Sequence, residues 1–206
     1  MEALLSIYKK PYDPKFPVVC MDETTKQCVS EIVEPMALAA GHGIRHDYEY
    51  KRNGVGHLMV FYEPLVGQVS ISVKGDHARR QWVSSVRDLM NTKYRDAAKV
   101  TFVLDNLVTH NPKFFYEFLP APEAEALLKR MDFKFTPKHA SWLNIAEIAI
   151  NSLQNQCLAR RIGDIGELCS EVEAWVDQTN SKELKTNWTF TTSKARVKLR
   201  RLYPSI

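Results

Sequence analysis

The chain has 206 residues, of which 45% are hydrophobic, 25% charged and 10% aromatic, enough apolar material for one substantial core and too little length to require two. Its 8 glycines and 10 prolines are ordinary globular usage and exclude a collagen-like or disordered chain. The formal charge of +4, with an isoelectric point near 8.8, is a mild basic bias that suits a nucleic-acid partner but occurs equally in proteins that bind none.

Residues 1–16, with Lys9, Lys10, Pro11 and Pro14, read as a lead-in segment ahead of a core that begins at Val18. Val18 to Met21 is a short apolar run of the kind a central strand makes, and it ends abruptly in Asp22 and Glu23. Gln27 to Val33 alternates well enough for a second strand. His57 to Tyr62 and Gln68 to Val73 supply two more around the turn Pro64 to Gly67, which makes the early sheet antiparallel. Pro35 to Gly56, long and mixed in charge, reads as an extended surface loop with short pieces of structure.

After Asp76, a plausible N-cap, Ala78, Trp82, Val83, Val86, Leu89 and Met90 recur at helical spacing. Val100 to Leu104 is a buried strand that again terminates in an acid, Asp105, followed by Asn106 and a loop to His110. Asn111 to Leu128 is helical, punctuated by Pro120 and Pro122, and Phe133 to Phe135 is a short strand. From Trp142 to Leu158 apolar residues dominate, leaving Asn144, Glu147, Asn151 and Gln154 as a polar stripe on one helix. A further helix, Ile165 to Gln178, precedes Trp188 to Phe190 and a basic tail of Lys194, Arg196, Lys198, Arg200 and Arg201 without an acid among them. This order predicts an α/β fold, a ribonuclease-H-like mixed sheet flanked by helices, although a fold alone does not define an activity.

Several chemistries find no support. Cys20, Cys28, Cys157 and Cys169 form no C-x-x-C pair and have no histidine at zinc-finger spacing, so they read as free thiols in a reducing, cytoplasmic setting. His42, His46, His57, His77 and His139 show no H-E-x-x-H spacing. There is no nucleophile elbow around Ser141 and no phosphate-cradling P-loop. No apolar run approaches the roughly 18 residues that span a bilayer, which predicts no membrane partner.

Asp22 and Asp105, each at the end of an apolar strand, and Glu147, on the polar stripe of a later helix, are candidate carboxylates. Phosphodiester cleavage through two divalent cations needs carboxylate oxygens converging from different elements, and hard cations favour oxygen ligands. Two adjacent strand ends and one helical stripe can supply them. An acid after a strand also serves as a turn residue or helix cap, Glu147 also suits a solvated face, and Glu23 is the rival to Asp22, since strand alternation lets one of the pair face the site. Lys138 and Trp142, ahead of the Glu147 helix, and the basic tail are candidate DNA contacts.

Pro17 to Glu23 (PVVCMDE), Val103 to His110 (VLDNLVTH) and Thr136 to Glu147 (TPKHASWLNIAE) resemble the catalytic motifs of bacterial insertion-sequence transposases in the mariner-like superfamily. Similarity also runs through Tyr48 to Gly54, Gln156 to Ile162 and Trp188 to Arg196, so it spans nearly the whole chain. The resemblance implies a DDE catalytic domain over residues 17–206, with Asp22, Asp105 and Glu147 as metal ligands and Asn106 and His110 as motif neighbours. It implies Mg²⁺ or Mn²⁺ as cofactor, with transposon ends and target DNA as partners of a nucleoid-associated homo-oligomer. The implied chemistry is hydrolysis of one strand at the element's end, then attack of the freed 3′-hydroxyl on a target phosphodiester at a TA dinucleotide. Ala140 stands where the family often has Gly, and Ala149-Ile150-Asn151 replaces a more acidic stretch. Family members usually carry an N-terminal helix-turn-helix region, and nothing before Val18 is long enough to supply one. The alternative is a catalytically silent remnant that acts only as a DNA- or partner-binding module.

Overall fold

The computed structural model describes residues 1–36, 47–76, 78–138 and 140–202. Five strands form one sheet: β1 (Val18–Glu31), β2 (Tyr50–Glu63), β3 (Gln68–Lys74), β4 (Val100–Leu104) and β5 (Met131–Phe135), in the order β3-β2-β1-β4-β5. The first three pair antiparallel as a meander, whereas β4 lies parallel to β1 and β5 parallel to β4. Gly67 closes the β2–β3 turn at φ 75°, a left-handed conformation that disfavours a side chain, and a Cβ there would also sit 2.5 Å from the Leu184 carbonyl.

The alternation of side chains along β1 and β2 divides the core in two. Val18, Cys20, Leu58, Val60 and Tyr62 face one layer, together with Val103 of β4. That layer is built from α1 (Glu2–Ile7), α5 (Ala146–Leu153), α6 (Ile165–Asn180) and Ala195 of α7 (Thr192–Lys198). Val19, Met21, Met59, Phe61, Phe102 and Leu104 face the other, built from α2 (Arg79–Asn91), α3 (Phe114–Phe118) and α4 (Ala121–Lys129). Because both faces are covered, the central strands read as continuous apolar runs instead of alternating ones. The expected mixed sheet between helices is therefore the observed architecture.

The structure corrects several local expectations. The core does not begin at Val18, because Leu4, Leu5, Ile7 and Tyr8 are buried in it and the Tyr8 hydroxyl donates to the Leu143 carbonyl at 2.8 Å. β1 does not stop at Asp22. It runs on through Glu23 and a bulge between Gln27 and Val29, because β2 continues to pair with it from Tyr62 down to Tyr50; the separate strand expected at Gln27 to Val33 is its second half. For the same reason the loop expected over residues 35–56 is already strand from Tyr50, while residues 37–46 lie outside the described residues. Asp76 is not the N-cap of α2; that position is Ala78, whose N–H donates to the Asp76 carboxylate at 2.9 Å. Among the described residues all four cysteines are free, and no helix is long and apolar enough to cross a membrane. His42, His46, His77 and His139 fall outside the described residues.

Candidate active site

Cys20 of β1 is paired in register with Val103 of β4. Asp22 and Asp105 each stand two residues further on, so the parallel pairing delivers both acids to the same end of neighbouring strands. Both also follow the parity of Cys20 and Val103, which places them on the α5 side of the sheet. Asp22 is where β1 leaves β4 behind while still held by β2, opposite Val60. An acid at such a departure point has a neighbouring strand on one side and open space on the other.

Glu147 comes from the first turn of α5 and is exposed. The helix expected from Trp142 to Leu158 is in fact a 3₁₀ turn (Ser141–Leu143), then α5, then a π-helical turn (Gln154–Leu158). The interruption falls at Asn144, which is 1% exposed and does not belong to a solvated stripe. Its Nδ2 donates to the Met21 carbonyl at 2.9 Å and to Asp22 Oδ2 at 3.3 Å, and its Oδ1 accepts from Ala146 N–H at 3.3 Å. The Gln154 amide donates to Thr24 Oγ1 at 2.8 Å, and Lys26 Nζ donates to the Leu158 carbonyl at 2.6 Å. The segment that presents Glu147 is thus bonded along β1 at Asp22, Thr24 and Lys26. Those side chains are one strand face, read at a period of two.

His110 is 0% exposed and joins the two faces. Its Nδ1 lies 3.1 Å from Asp105 Oδ1 and its Nε2 3.0 Å from Glu23 Oε1, with the Trp82 ring 5.6 Å away between centroids. Burial alone drives the imidazole toward its neutral form, but the two carboxylates outweigh it and push its pKa up to about 9. Asp105 is held below the usual carboxylate range, chiefly by its hydrogen bond to His110. Asp22 goes the other way: burial, with the charges of Asp105 and Glu147 nearby, pushes it up to about 6 against the hydrogen bond from Glu23 N–H and the charge of His110. Asp22, the more buried of the two strand-end acids, therefore feels the negative charge of both Asp105 and Glu147. An oxygen donor set of that kind suits a hard divalent cation. Among the described residues, no three acidic, histidine or cysteine side chains already stand together as a closed metal site.

Asn106 is exposed and its amide donates to the Thr136 carbonyl, tying the loop after β4 to that after β5. Lys138 is exposed. Trp142 is 41% exposed and packs edge-on against Phe190 at 5.5 Å. In the basic tail Arg196 is engaged by Glu2 of α1, at 2.7 and 2.9 Å, while Lys194 Nζ donates to the Thr189 carbonyl at 3.1 Å. Lys198, Arg200 and Arg201 are exposed. The tail thus stands on the α1 side of the molecule, partly occupied in joining the two ends of the described chain. Glu23, the rival to Asp22 along the strand, bonds His110 at 3.0 Å, and Asn144, expected on a polar stripe, is buried against β1. The adjacent acids at 22 and 23 with a histidine after Asp105 were a signal for the first, and nothing in the hydrophobic pattern marked the second.

A ribonuclease-H-like sheet whose central strands bring two acids together beside a third on a helix defines the class. Residues 17–169 match the family model described as DDE superfamily endonuclease, and the chain belongs to that family. Among solved structures it is similar to a Mos1 transposase paired-end complex with the left transposon end, at TM-score 0.58 and 15% identity, over 88% of this chain and 55% of that one. A Mos1 strand transfer complex gives 0.55 and 15% identity, covering 88% and 54%, and a Mos1 mariner paired-end complex with Mn gives 0.52 and 15%, covering 88% and 56%. The chain spans a little over half the length of those transposase chains. No curated protein sequence matches it.

Proposed function

We propose that this chain is the catalytic domain of a DNA transposase that cleaves a strand and joins its 3′ end to target DNA, with Asp22, Asp105 and Glu147 as ligands of Mg²⁺ or Mn²⁺. The observation that supports it best is the parallel register of β1 and β4, which brings two acids from distant parts of the sequence to one strand end beneath the helix of a third. The Mos1 structures, one of which holds Mn and another Mg, and which include paired-end and strand transfer complexes, support a divalent cation, DNA partners and a homo-oligomer here. When bound, divalent cations activate the attacking oxygen and stabilise the leaving one. The chain's own part is orientation: Asn144 fixes the Asp22 carboxylate, His110 fixes Asp105, and the bonds from Gln154 and Lys26 fix the segment that carries Glu147. The water's oxygen forms the new bond to phosphorus in the first step and the freed 3′-hydroxyl does so in the second, the displaced 3′-oxygen leaving each time.

The silent-remnant alternative draws on one observation, the exposure of Glu147 outside any closed cluster. Incubation of the purified chain with supercoiled plasmid and Mn²⁺, beside Asp22→Asn, Asp105→Ala and Glu147→Gln, separates the two. Nicking that disappears in all three variants is expected, whereas nicking that survives Asp105→Ala would falsify the assignment.

A further inference from the structure

The loop that carries Asp105 also borders a cavity of about 490 Å³ on the opposite face from α5, lined by Ala78, Arg79, Arg80, Thr109 and Phe118. Three features of this cavity are those of an anion site. Arg79 and Arg80 are exposed and form no ion pair with a carboxylate among the described residues; Arg80 lies only within electrostatic reach of Asp76. Thr109 contributes a hydroxyl whose oxygen is buried and has no hydrogen-bond partner among the described residues, an arrangement that costs stability unless something else supplies the bond. The N-cap residue Ala78 offers the first turn of α2 no side-chain acceptor, so the positive dipole end of the helix lies beside the two arginines, although the Asp76 carboxylate already takes the Ala78 N–H at 2.9 Å.

The surroundings narrow the kind of anion. The Arg79 guanidinium lies 4.5 Å from the centre of the Phe114 ring, and Lys113 Nζ lies 5.2 Å from the same ring. Phe118, 36% exposed, lines the cavity itself. Cations interleaved with aromatic rings at the edge of a cleft are the chemistry that tracks a nucleic-acid backbone, with guanidinium forks on phosphate and rings against sugar or base. Thr109 is followed by His110, which is bonded to Asp105 at 3.1 Å, so a phosphate seated here is held by the same loop that places that acid.

We infer that this cavity binds a backbone phosphate of the DNA, a few nucleotides from the bond being cut, and sets the strand's approach to the carboxylates. The inference rests on the transposase reading for the identity of its ligand, but the site is separate from the three acids and from the basic tail. Arg79 and Arg80 supply the charge, and the Thr109 hydroxyl donates to a phosphate oxygen.

The test is binding of a short fluorescently labelled DNA duplex to the full chain in EDTA, followed by anisotropy across a salt series, with melting temperature as a check on folding. Arg79→Gln with Arg80→Gln is expected to weaken binding about 10-fold and to flatten the slope of log K against log salt by roughly 1 per lost phosphate contact. Thr109→Val removes a hydroxyl without altering charge or shape, and is expected to weaken binding about 2- to 10-fold, the equivalent of one hydrogen bond, at unchanged slope. Unchanged affinity and slope in the double variant overturn the site, as does a wild-type chain that binds no DNA. If the wild type nicks plasmid and the double variant binds and nicks equally well, the cavity fails and the catalytic reading stands. Lost binding in the double variant beside a wild type that never nicks supports the cavity and removes the catalytic reading.

Discussion

His110 connects three residues that the sequence keeps far apart in role. It is fully buried between Glu23 and Asp105, and Asp22 is close enough to feel the histidine's charge. A histidine whose pKa is raised in the fold, here to about 9 from an ordinary 6.5, stabilises the folded state fully below pH 6.5. That contribution is lost as pH rises through 9, because the unfolded chain gives up its proton first. Its size is on the order of 3 kcal/mol. In metal-free buffer, denaturant unfolding of the wild type should therefore weaken by that amount between pH 6.5 and 9.5 relative to His110→Asn. Parallel stability curves for the two proteins would mean that the bridge is not charged. The same geometry explains why Glu23 could not be read correctly from alternation alone. Strand parity does turn it away from Asp22, but a histidine at the sheet's end reaches round to join it to the other acid.

At the scale of elements, β4 and the first half of β1 were legible because both faces are buried and their apolar runs end at acids. The second half of β1 was not, since Asp22 to Gln27 is a polar stretch whose strand character comes from partners on β2 and on the π-helical turn after α5, which no local pattern encodes. The helix of Glu147 shows the converse. Its apolar periodicity was plain, yet the break at Asn144 depends on a buried amide bonded to β1. Asn144→Ala leaves the Asp22 carboxylate and the Met21 carbonyl without that donor, so a loss of about 1–3 kcal/mol is expected. Because the same bonds seat the start of α5, plasmid nicking should fall further than the folded fraction does at the assay temperature. A variant as stable as wild type, or one whose activity tracks folded protein alone, would show that Asn144 does not position the site.

Across the whole molecule, the order of strands and helices announced a helix-flanked mixed sheet, and the sheet order β3-β2-β1-β4-β5 bears it out. What the order could not announce is how the ends behave. α1 enters the core through Leu4 and Leu5, and Glu2 engages Arg196 of α7, so a segment that resembled a linker and a tail that resembled a DNA contact are in part structural partners. Arg79 and Arg80 of α2, which form no ion pair with a carboxylate among the described residues, share a cavity with the loop after Asp105 and were singled out by no motif. The central claim is that Asp22, Asp105 and Glu147 act together on one divalent-cation centre although they come from three elements. Calorimetric titration of Mn²⁺ into the wild-type chain and into Asp22→Asn, Asp105→Asn and Glu147→Gln tests it directly. The account predicts saturable binding by the wild type that weakens or vanishes in all three variants; binding by Glu147→Gln indistinguishable from wild type would contradict it.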